Sequence, residues 1–156
     1  MPSPLTFRLL TGCRQSSERA IGFLEGHGEL DGGTEFDNFR GTDARAFRSR
    51  MDQWLDGANG PDSYFHNFKS DLAHRNCFVF KYKQHRLYGF LCHPNDANLR
   101  FQLCSLCIYA TKNEHESDRA ELDRVESWCV NSVGRQAISR VYPPTKIQKG
   151  GRPRWS

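Results

Sequence analysis

The chain has 156 residues and a formal net charge of +4, and 37% of its residues are hydrophobic. The mean hydropathy is −0.72, and no apolar run approaches the roughly 20 residues of a membrane helix. These values predict one globular domain and exclude a membrane-spanning protein. Since no signal peptide follows Met1, we expect a cytoplasmic protein whose six cysteines are reduced and mostly buried.

The positive charge is concentrated in two regions. Residues 69–86 contain five basic side chains and a single acid, Asp71. The end of the chain has no acid and four basic residues: Lys146, Lys149, Arg152 and Arg154. Either region could bind an acidic partner such as RNA, although basic tails are as often simply solvated. We therefore divide the chain into one domain over residues 1–142 and a basic, flexible tail over residues 143–156.

The first half of the chain predicts one strand and two helices. Leu5 to Leu10 is typical of a short strand, and Ser16 to Leu24 is read as a helix. Four glycines between Gly26 and Gly33 end that helix. From Thr42 apolar side chains recur at helical spacing as far as Leu55, which indicates a second helix.

The second half predicts three strands and a final helix. Cys77 to Lys83 alternates between apolar and polar, and His85 to Cys92 follows after almost no loop, so the two should form a hairpin. Phe101 to Tyr109 has the continuous apolar character of a central strand. A helix follows from about Ser117 to Ser132. The order β-α-α-β-β-β-α predicts an α+β fold, with a small antiparallel-rich sheet packed against helices on one side.

The predicted hairpin separates cationic from apolar side chains. With Gln84 and His85 in the turn, Lys83 lies opposite Arg86, and Lys81 lies opposite Tyr88. These four side chains then share one face, because strand residues alternate between faces. Such a face fits an RNA backbone, since Lys and Arg neutralise phosphates. An ordinary solvated sheet face is the simpler alternative, and a three-residue turn would move Arg86 to the other face.

A basic face of this kind could cleave RNA without a metal. The 2′-hydroxyl of the RNA attacks the adjacent phosphate, and basic side chains stabilise the charge that develops. A lysine whose pKa is lowered by neighbouring cations, or a histidine, can move the protons.

Further candidates lie where the predicted central strand leads into the last helix. Lys112 and His115 could curve beside the basic face of the hairpin. The alternative is that the acidic residues before Arg119 only favour the start of a helix. His66 and His74 have no second residue at a spacing typical of a catalytic or metal-binding motif. We interpret both as surface or packing histidines.

The sequence predicts neither a metal nor another cofactor. Cys104 and Cys107 lie three residues apart on a strand, so their thiols should point to opposite faces and cannot bind one ion. A second pair of cysteines or histidines that could complete a zinc site is missing. The sequence also has no phosphate-binding glycine loop and no nucleophile elbow.

With these elements in place, residues 42–133 resemble the RelE/ParE superfamily of toxin–antitoxin toxins, and most of all its HigB or phage-derived branch. The strand after the hairpin turn, His85-Arg86-Leu87-Tyr88, is similar to the family's short aromatic-Arg-aliphatic-aromatic strand. The polar turn from Tyr109 to Glu114 and the charged segment from Asp118 to Leu122 are similar to the end of the family's last strand and its helix. The glycine-rich segment before Thr42 and the basic tail are departures from the family.

The resemblance implies a RelE-like fold and a ribosome-dependent mRNA endoribonuclease that needs no metal. Its partners would be the ribosome, mRNA and a cognate antitoxin protein that covers the basic face. Two lysines before the family's hairpin and an arginine after it carry catalysis, and Lys81, Lys83 and Arg86 match them. The acid or base varies in the family, and His115 or Tyr142 could take that role here.

Other residues are predicted to bind the RNA without reacting: Tyr88, Lys112, Arg119, Lys146 and Lys149. Two alternatives share the scaffold. One is a ParE-like toxin that binds DNA gyrase, which should tolerate truncation of the hairpin cations. The other is a non-catalytic RNA-binding or regulatory module, since no terminal catalytic His or Tyr is recognisable.

Overall fold

A computed structural model describes residues 5–14, 16–95, 98–113 and 115–143. The strands within these ranges are β1 (Thr6–Leu9), β2 (Arg19–Glu25), β3 (Phe65–Asn67), β4 (Cys77–Tyr82), β5 (His85–Cys92) and β6 (Gln102–Thr111). The helices are α1 (Gly32–Asn38), α2 (Gly41–Leu55), α3 (Arg119–Cys129) and α4 (Ser132–Val141). None of these helices is both long and apolar enough to cross a membrane.

The strands form one sheet in the order β1-β2-β6-β5-β4-β3. All neighbouring strands are antiparallel except β2 and β6, which run parallel from the pair Arg19–Gln102 to the pair Phe23–Leu106. The α+β class and the largely antiparallel sheet are therefore confirmed.

Helices cover both faces of the sheet, so the prediction of helices on one side is wrong. The face that carries Val79, Tyr88 and Ile108 packs against α3 and α4, and we call it the α3 face. The opposite face, which carries Phe80 and Leu87, packs against α1 and α2 and is the α2 face. The physical reason is that β5 and β6 are apolar on both sides, and a strand of that kind needs cover on both.

The segment from Ser16 to Leu24 is not the predicted helix, because Arg19–Glu25 forms strand β2 between β1 and β6. Its side chains enter both cores, with Ile21 and Phe23 on the α2 face and Leu24 on the α3 face. The glycine-rich segment also differs from the expected break, since α1 begins inside it at Gly32. A Cβ atom at Gly32 would lie 3.2 Å from the backbone of Cys107, so a glycine there lets the helix approach β6 closely.

The β4–β5 hairpin forms, but its turn is one residue earlier than predicted. Lys83 and Gln84 make the turn, so Tyr82 pairs with His85 and Lys81 pairs with Arg86. Tyr88 therefore lies opposite Val79 rather than opposite Lys81. Moving the turn by one residue shifts the partner of each β4 residue by two positions along β5. Because side chains alternate between faces with a period of two, Lys81, Arg86 and Tyr88 still share the α3 face. Lys83 leaves the strand and has a φ of 52°.

The single helix predicted from Ser117 to Ser132 is two helices. α3 ends at Cys129, and the side chain of Asn131 then accepts a hydrogen bond of 2.9 Å from the backbone N–H of Gly134. This N-cap starts α4 in a new direction. Both helices can therefore pack on the α3 face, with α3 against β5 and α4 against β1.

Candidate nucleic-acid interface at one end of the sheet

Two predicted cations lie side by side where β4 ends and β5 begins. Lys81 is directly opposite Arg86, and Arg86 is opposite Ala110 of β6. This row lies two residues beyond the row of Val79, Tyr88 and Ile108 on the α3 face. Both cationic residues are half-buried. Neither Lys81 nor Arg86 forms an ion pair with a residue that the structure describes. Their charges therefore remain available to an anion.

The surroundings of Lys81 disfavour its charged form. Burial lowers the pKa of its ammonium group, and the positive charge of Arg86 lowers it further. The carboxylates of Asp118 and Asp62 act in the opposite direction with smaller effect. Lys81 is consequently a lysine that can give up a proton more readily than an ordinary surface lysine.

Arg86 is held in place by the hairpin turn. Its Nη1 donates hydrogen bonds of 2.6 Å to the carbonyl of Lys83 and 3.0 Å to the carbonyl of His85. A guanidinium has five N–H donors, so others remain free to bind two oxygens of a phosphate at once.

Tyr88 is fully buried, in contrast to its predicted contact with RNA. Its hydroxyl donates a hydrogen bond to the carboxylate of Asp118, the residue before α3. Burial and this bond raise the pKa of the phenol. Tyr88 therefore anchors the start of α3 beside the hairpin, which is where the sequence predicted that segment to lie.

Lys112 is also engaged inside the protein rather than presented to RNA. Its Nζ lies 2.5 Å from Oε1 of Glu121, and only 13% and 10% of the two side chains are exposed. This ion pair joins the end of β6 to α3 and occupies the charge of Lys112.

The remaining predicted residues fall in three places. His115 and Arg119 are exposed, and His115 has no hydrogen bond, ion pair or ring contact with the part of the chain that the structure describes. Tyr142 packs against Phe101, with ring centroids 5.4 Å apart. Phe101 precedes β6 at the end away from Ala110, so Tyr142 is roughly 30 Å from the cationic pair and cannot act there. Lys146 and Lys149 lie outside the described residues.

The sequence reading missed a group of residues at the edge of β4. The guanidinium carbon of Arg50, from α2, lies 3.9 Å from the ring centroid of Tyr64 and 4.8 Å from that of Tyr82. We call these three residues the arginine–tyrosine corner. Their signal in the sequence was weak, because Tyr64 precedes a strand of only three residues that was not predicted.

Two histidines are positioned by hydrogen bonds. His85 points to the α2 face, where Nδ1 is 2.6 Å from the hydroxyl of Tyr109 and Nε2 is 3.5 Å from Asp43. His74 is buried, with Nδ1 2.7 Å from Asp71 and Nε2 2.6 Å from Asp123. His74 thus ties the loop before β4 to α3, in agreement with its reading as a packing histidine.

The cysteines follow the predicted separation. Cys104 belongs to the core under the α2 face and Cys107 to the core under the α3 face. No group of three or more His, Cys, Asp or Glu side chains among the described residues is placed to hold a metal ion.

Comparison with protein-family models, with curated proteins and with solved structures gave no match. The resemblance in the sequence therefore stays a prediction, and the cationic pair of Lys81 and Arg86 with its surroundings is the basis for a function.

Proposed function

We propose that this protein is the toxin of a toxin–antitoxin system and acts as a metal-independent, ribosome-dependent mRNA endoribonuclease. The observation that carries the proposal is the pairing of Lys81 with Arg86, both half-buried, at the hairpin end of the sheet. One of these cations has a lowered pKa, and neither forms an ion pair with a described carboxylate. These are the properties that metal-free RNA cleavage requires of two neighbouring side chains.

In the proposed reaction the neutral amine of Lys81 accepts the proton of the RNA 2′-hydroxyl. The 2′-oxygen forms a bond to the adjacent phosphorus, and the bond from phosphorus to the 5′-oxygen breaks. Arg86 stabilises the charge on the crowded phosphate. The ammonium of Lys81 can return the proton to the leaving 5′-oxygen, so the products are a 2′,3′-cyclic phosphate and a 5′-hydroxyl.

The order of elements supports the same proposal. If the edge strands β1 and β3 are set aside, β2, α1, α2, β4, β5 and β6 have the β-α-α-β-β-β order expected of a RelE-like protein, with β2 in place of the first strand predicted at Leu5 to Leu10. α3 and α4 cover much of the face on which the family's chemistry would lie. The proposed site is therefore restricted to the hairpin end, with Lys83 at the turn and Arg119 at the start of α3.

The proposed partners follow from this position. mRNA would enter at the hairpin end while it is held by the ribosome. A cognate antitoxin would neutralise the protein by covering Lys81 and Arg86, and an acidic segment would suit that surface.

The test is induced expression of the wild type beside the Lys81→Ala/Arg86→Ala variant, with growth and primer extension on a translated mRNA as readouts. We expect growth arrest and cuts at ribosome-positioned sites for the wild type. The variant should lose at least about a hundredfold in cleavage, because it lacks both the proton acceptor and the charge stabilisation.

A Lys69→Ala/Arg75→Ala variant is the matched control, since it removes the same charge from exposed positions outside the hairpin. It should cut like the wild type. Arrest without mRNA cuts would contradict the proposal and favour a gyrase poison.

One observation favours a non-catalytic RNA-binding module as the second candidate. Tyr142 is remote from the cationic pair, and His115 has no described contact that positions it there. If Lys81 cannot supply both proton transfers, the hairpin end would bind RNA without cutting it. No arrest and no cuts, with RNA binding retained, would identify this candidate.

A further inference from the structure

The arginine–tyrosine corner has a structural cause in the unequal lengths of β3 and β4. The N–H of Lys81 donates a 2.8 Å hydrogen bond to the carbonyl of Tyr64, just before β3 begins at Phe65. The carbonyl of Lys81 then has no strand partner on that side, and Nη1 of Arg50 donates to it. The guanidinium is thereby fixed at the sheet edge, beside the backbone of a proposed catalytic residue.

The corner combines aromatic surface with positive charge. Arg50, Tyr64 and Tyr82 are half-buried, and Lys83 is exposed with its Nζ 5.3 Å from the ring centroid of Tyr82. Neither Arg50 nor Lys83 has an ion-pair partner among the residues described. Arg50 differs in this from Arg8, whose guanidinium is bound by the carboxylate of Glu25 at 2.8 Å.

We propose that the arginine–tyrosine corner is a base-stacking subsite for single-stranded RNA. This inference rests on the proposed function for its choice of ligand. The base would belong to a nucleotide next to the phosphate held by Lys81 and Arg86, because Arg50 contacts the backbone of Lys81 itself. Aromatic rings and planar guanidinium groups stack on any unpaired base, and nearby cations hold the backbone.

The ligand must be single-stranded, since only an unpaired and unstacked base can offer its ring face to a side chain. An acidic protein segment would satisfy the cations but would leave the rings without a specific role. A purine should bind more tightly than a pyrimidine, because its larger ring system gives more stacking surface.

The test measures binding of fluorescent oligo(A) and oligo(U) to the full chain by anisotropy, for the wild type and for Tyr64→Leu. Wild type should prefer oligo(A). Tyr64→Leu should bind oligo(A) about tenfold more weakly and should lose most of the preference. Tyr64→Phe keeps the ring and should retain the preference for oligo(A).

Two further measurements separate stacking from charge and from folding. Arg50→Lys keeps the charge but removes the planar group, and it should also reduce the preference for oligo(A). Inorganic polyphosphate, which has charge and no base, should compete much less well than oligo(A). Thermal unfolding of each variant checks that the fold is retained.

The outcomes distinguish this inference from the proposed function. If Tyr64→Leu and Arg50→Lys both bind oligo(A) as the wild type does, or if polyphosphate competes equally, the subsite is wrong even where mRNA is cut. If ring-dependent binding is found and no mRNA is cut, the subsite is supported and the proposed nuclease is not.

Discussion

Lys81 and Lys112 show at the residue scale how the surroundings decide what a predicted cation can do. Both were predicted from charge and position, and both lie near the same end of the sheet. Lys112 is paired with Glu121 in a nearly buried contact, whereas Lys81 faces Arg86 and has a lowered pKa. The sequence contains both lysines but does not reveal that α3 packs so that Glu121 lies beside Lys112 at the end of β6.

His74 gives a prediction on the pH dependence of stability. Its hydrogen bonds to Asp71 and then to Asp123 raise the pKa of the imidazole above its ordinary 6.5. A group whose pKa is raised by folding stabilises the protein fully below the unfolded value, and this contribution is lost as the pH rises through the folded value. The hydrogen bond with His74 also lowers the pKa of Asp71. The stability that Asp71 contributes is therefore lost as the pH falls into the acid range.

We therefore expect the urea midpoint of the wild type to fall as the pH is raised from about 6 to about 9. His74→Gln should lower the free energy of unfolding by about 1–2 kcal/mol at pH near 6 and should flatten the dependence. His66→Gln is the control, because among the described residues His66 has one hydrogen bond, to the neighbouring carbonyl of Asn67, and no carboxylate partner. If the stability of wild type and of His74→Gln changed with pH in the same way, His74 would not be protonated in the native protein.

At the scale of elements, the hairpin depends on one unfavourable backbone conformation. Lys83 is the only non-glycine residue with positive φ among those described, at 52°. A side chain there costs roughly 1 kcal/mol relative to glycine.

Lys83→Gly and Lys83→Ala remove the same charge but differ in this cost. We expect Lys83→Gly to be more stable than Lys83→Ala by about 1 kcal/mol in urea unfolding. Gln84→Gly, next in the turn, should instead lower stability by about 0.5–1 kcal/mol. Gln84 does not have a positive φ, so glycine there relieves no strain and only makes the unfolded chain more flexible. Equal stabilities for the two Lys83 variants would mean that the turn relaxes to another form.

Several elements could be predicted from the sequence because their patterns are local. α2 and the β4–β5 hairpin follow from helical spacing after Thr42 and from alternation around the turn. β2 could not be recognised, since Ala20 to Leu24 is a short apolar run that fits a helix or a buried strand equally well. Its strand form is fixed by β1 and β6, which pair with it on either side.

The same reason limits the prediction of the site. Lys81 and Arg86 share a face of the sheet whenever the hairpin turn has an even number of residues. That condition is local, so their shared face was predicted. The corner joins α2, the residue before β3 and the end of β4, and such a contact between distant segments leaves no periodic signal. Tyr142 was misplaced because the direction of α4 depends on the cap at Asn131.

At the scale of the whole molecule, cover on both faces of the sheet predicts unreactive thiols. Cys77, Cys92, Cys104, Cys107 and Cys129 are buried, and burial raises the pKa of each thiol. Only Cys13 is partly exposed.

We expect at most one thiol per native chain to react with a disulfide reagent, and six after unfolding in guanidinium. Cys13→Ser should abolish the native reaction. A reactive Cys104 would show that the cover on the α2 face opens, and a reactive Cys107 would show the same for the α3 face.

The central position of β6 has a consequence for synthesis. β6 separates β1 and β2 from β5, β4 and β3, so neither group is joined to the other until β6 exists. Arg19 pairs with Gln102, which a ribosome adds about 4–16 s later at typical elongation rates. During that interval one edge of β2 lacks its partner strand. The two halves of the sheet therefore join late and through non-local pairing, which is the slow step expected of such a topology.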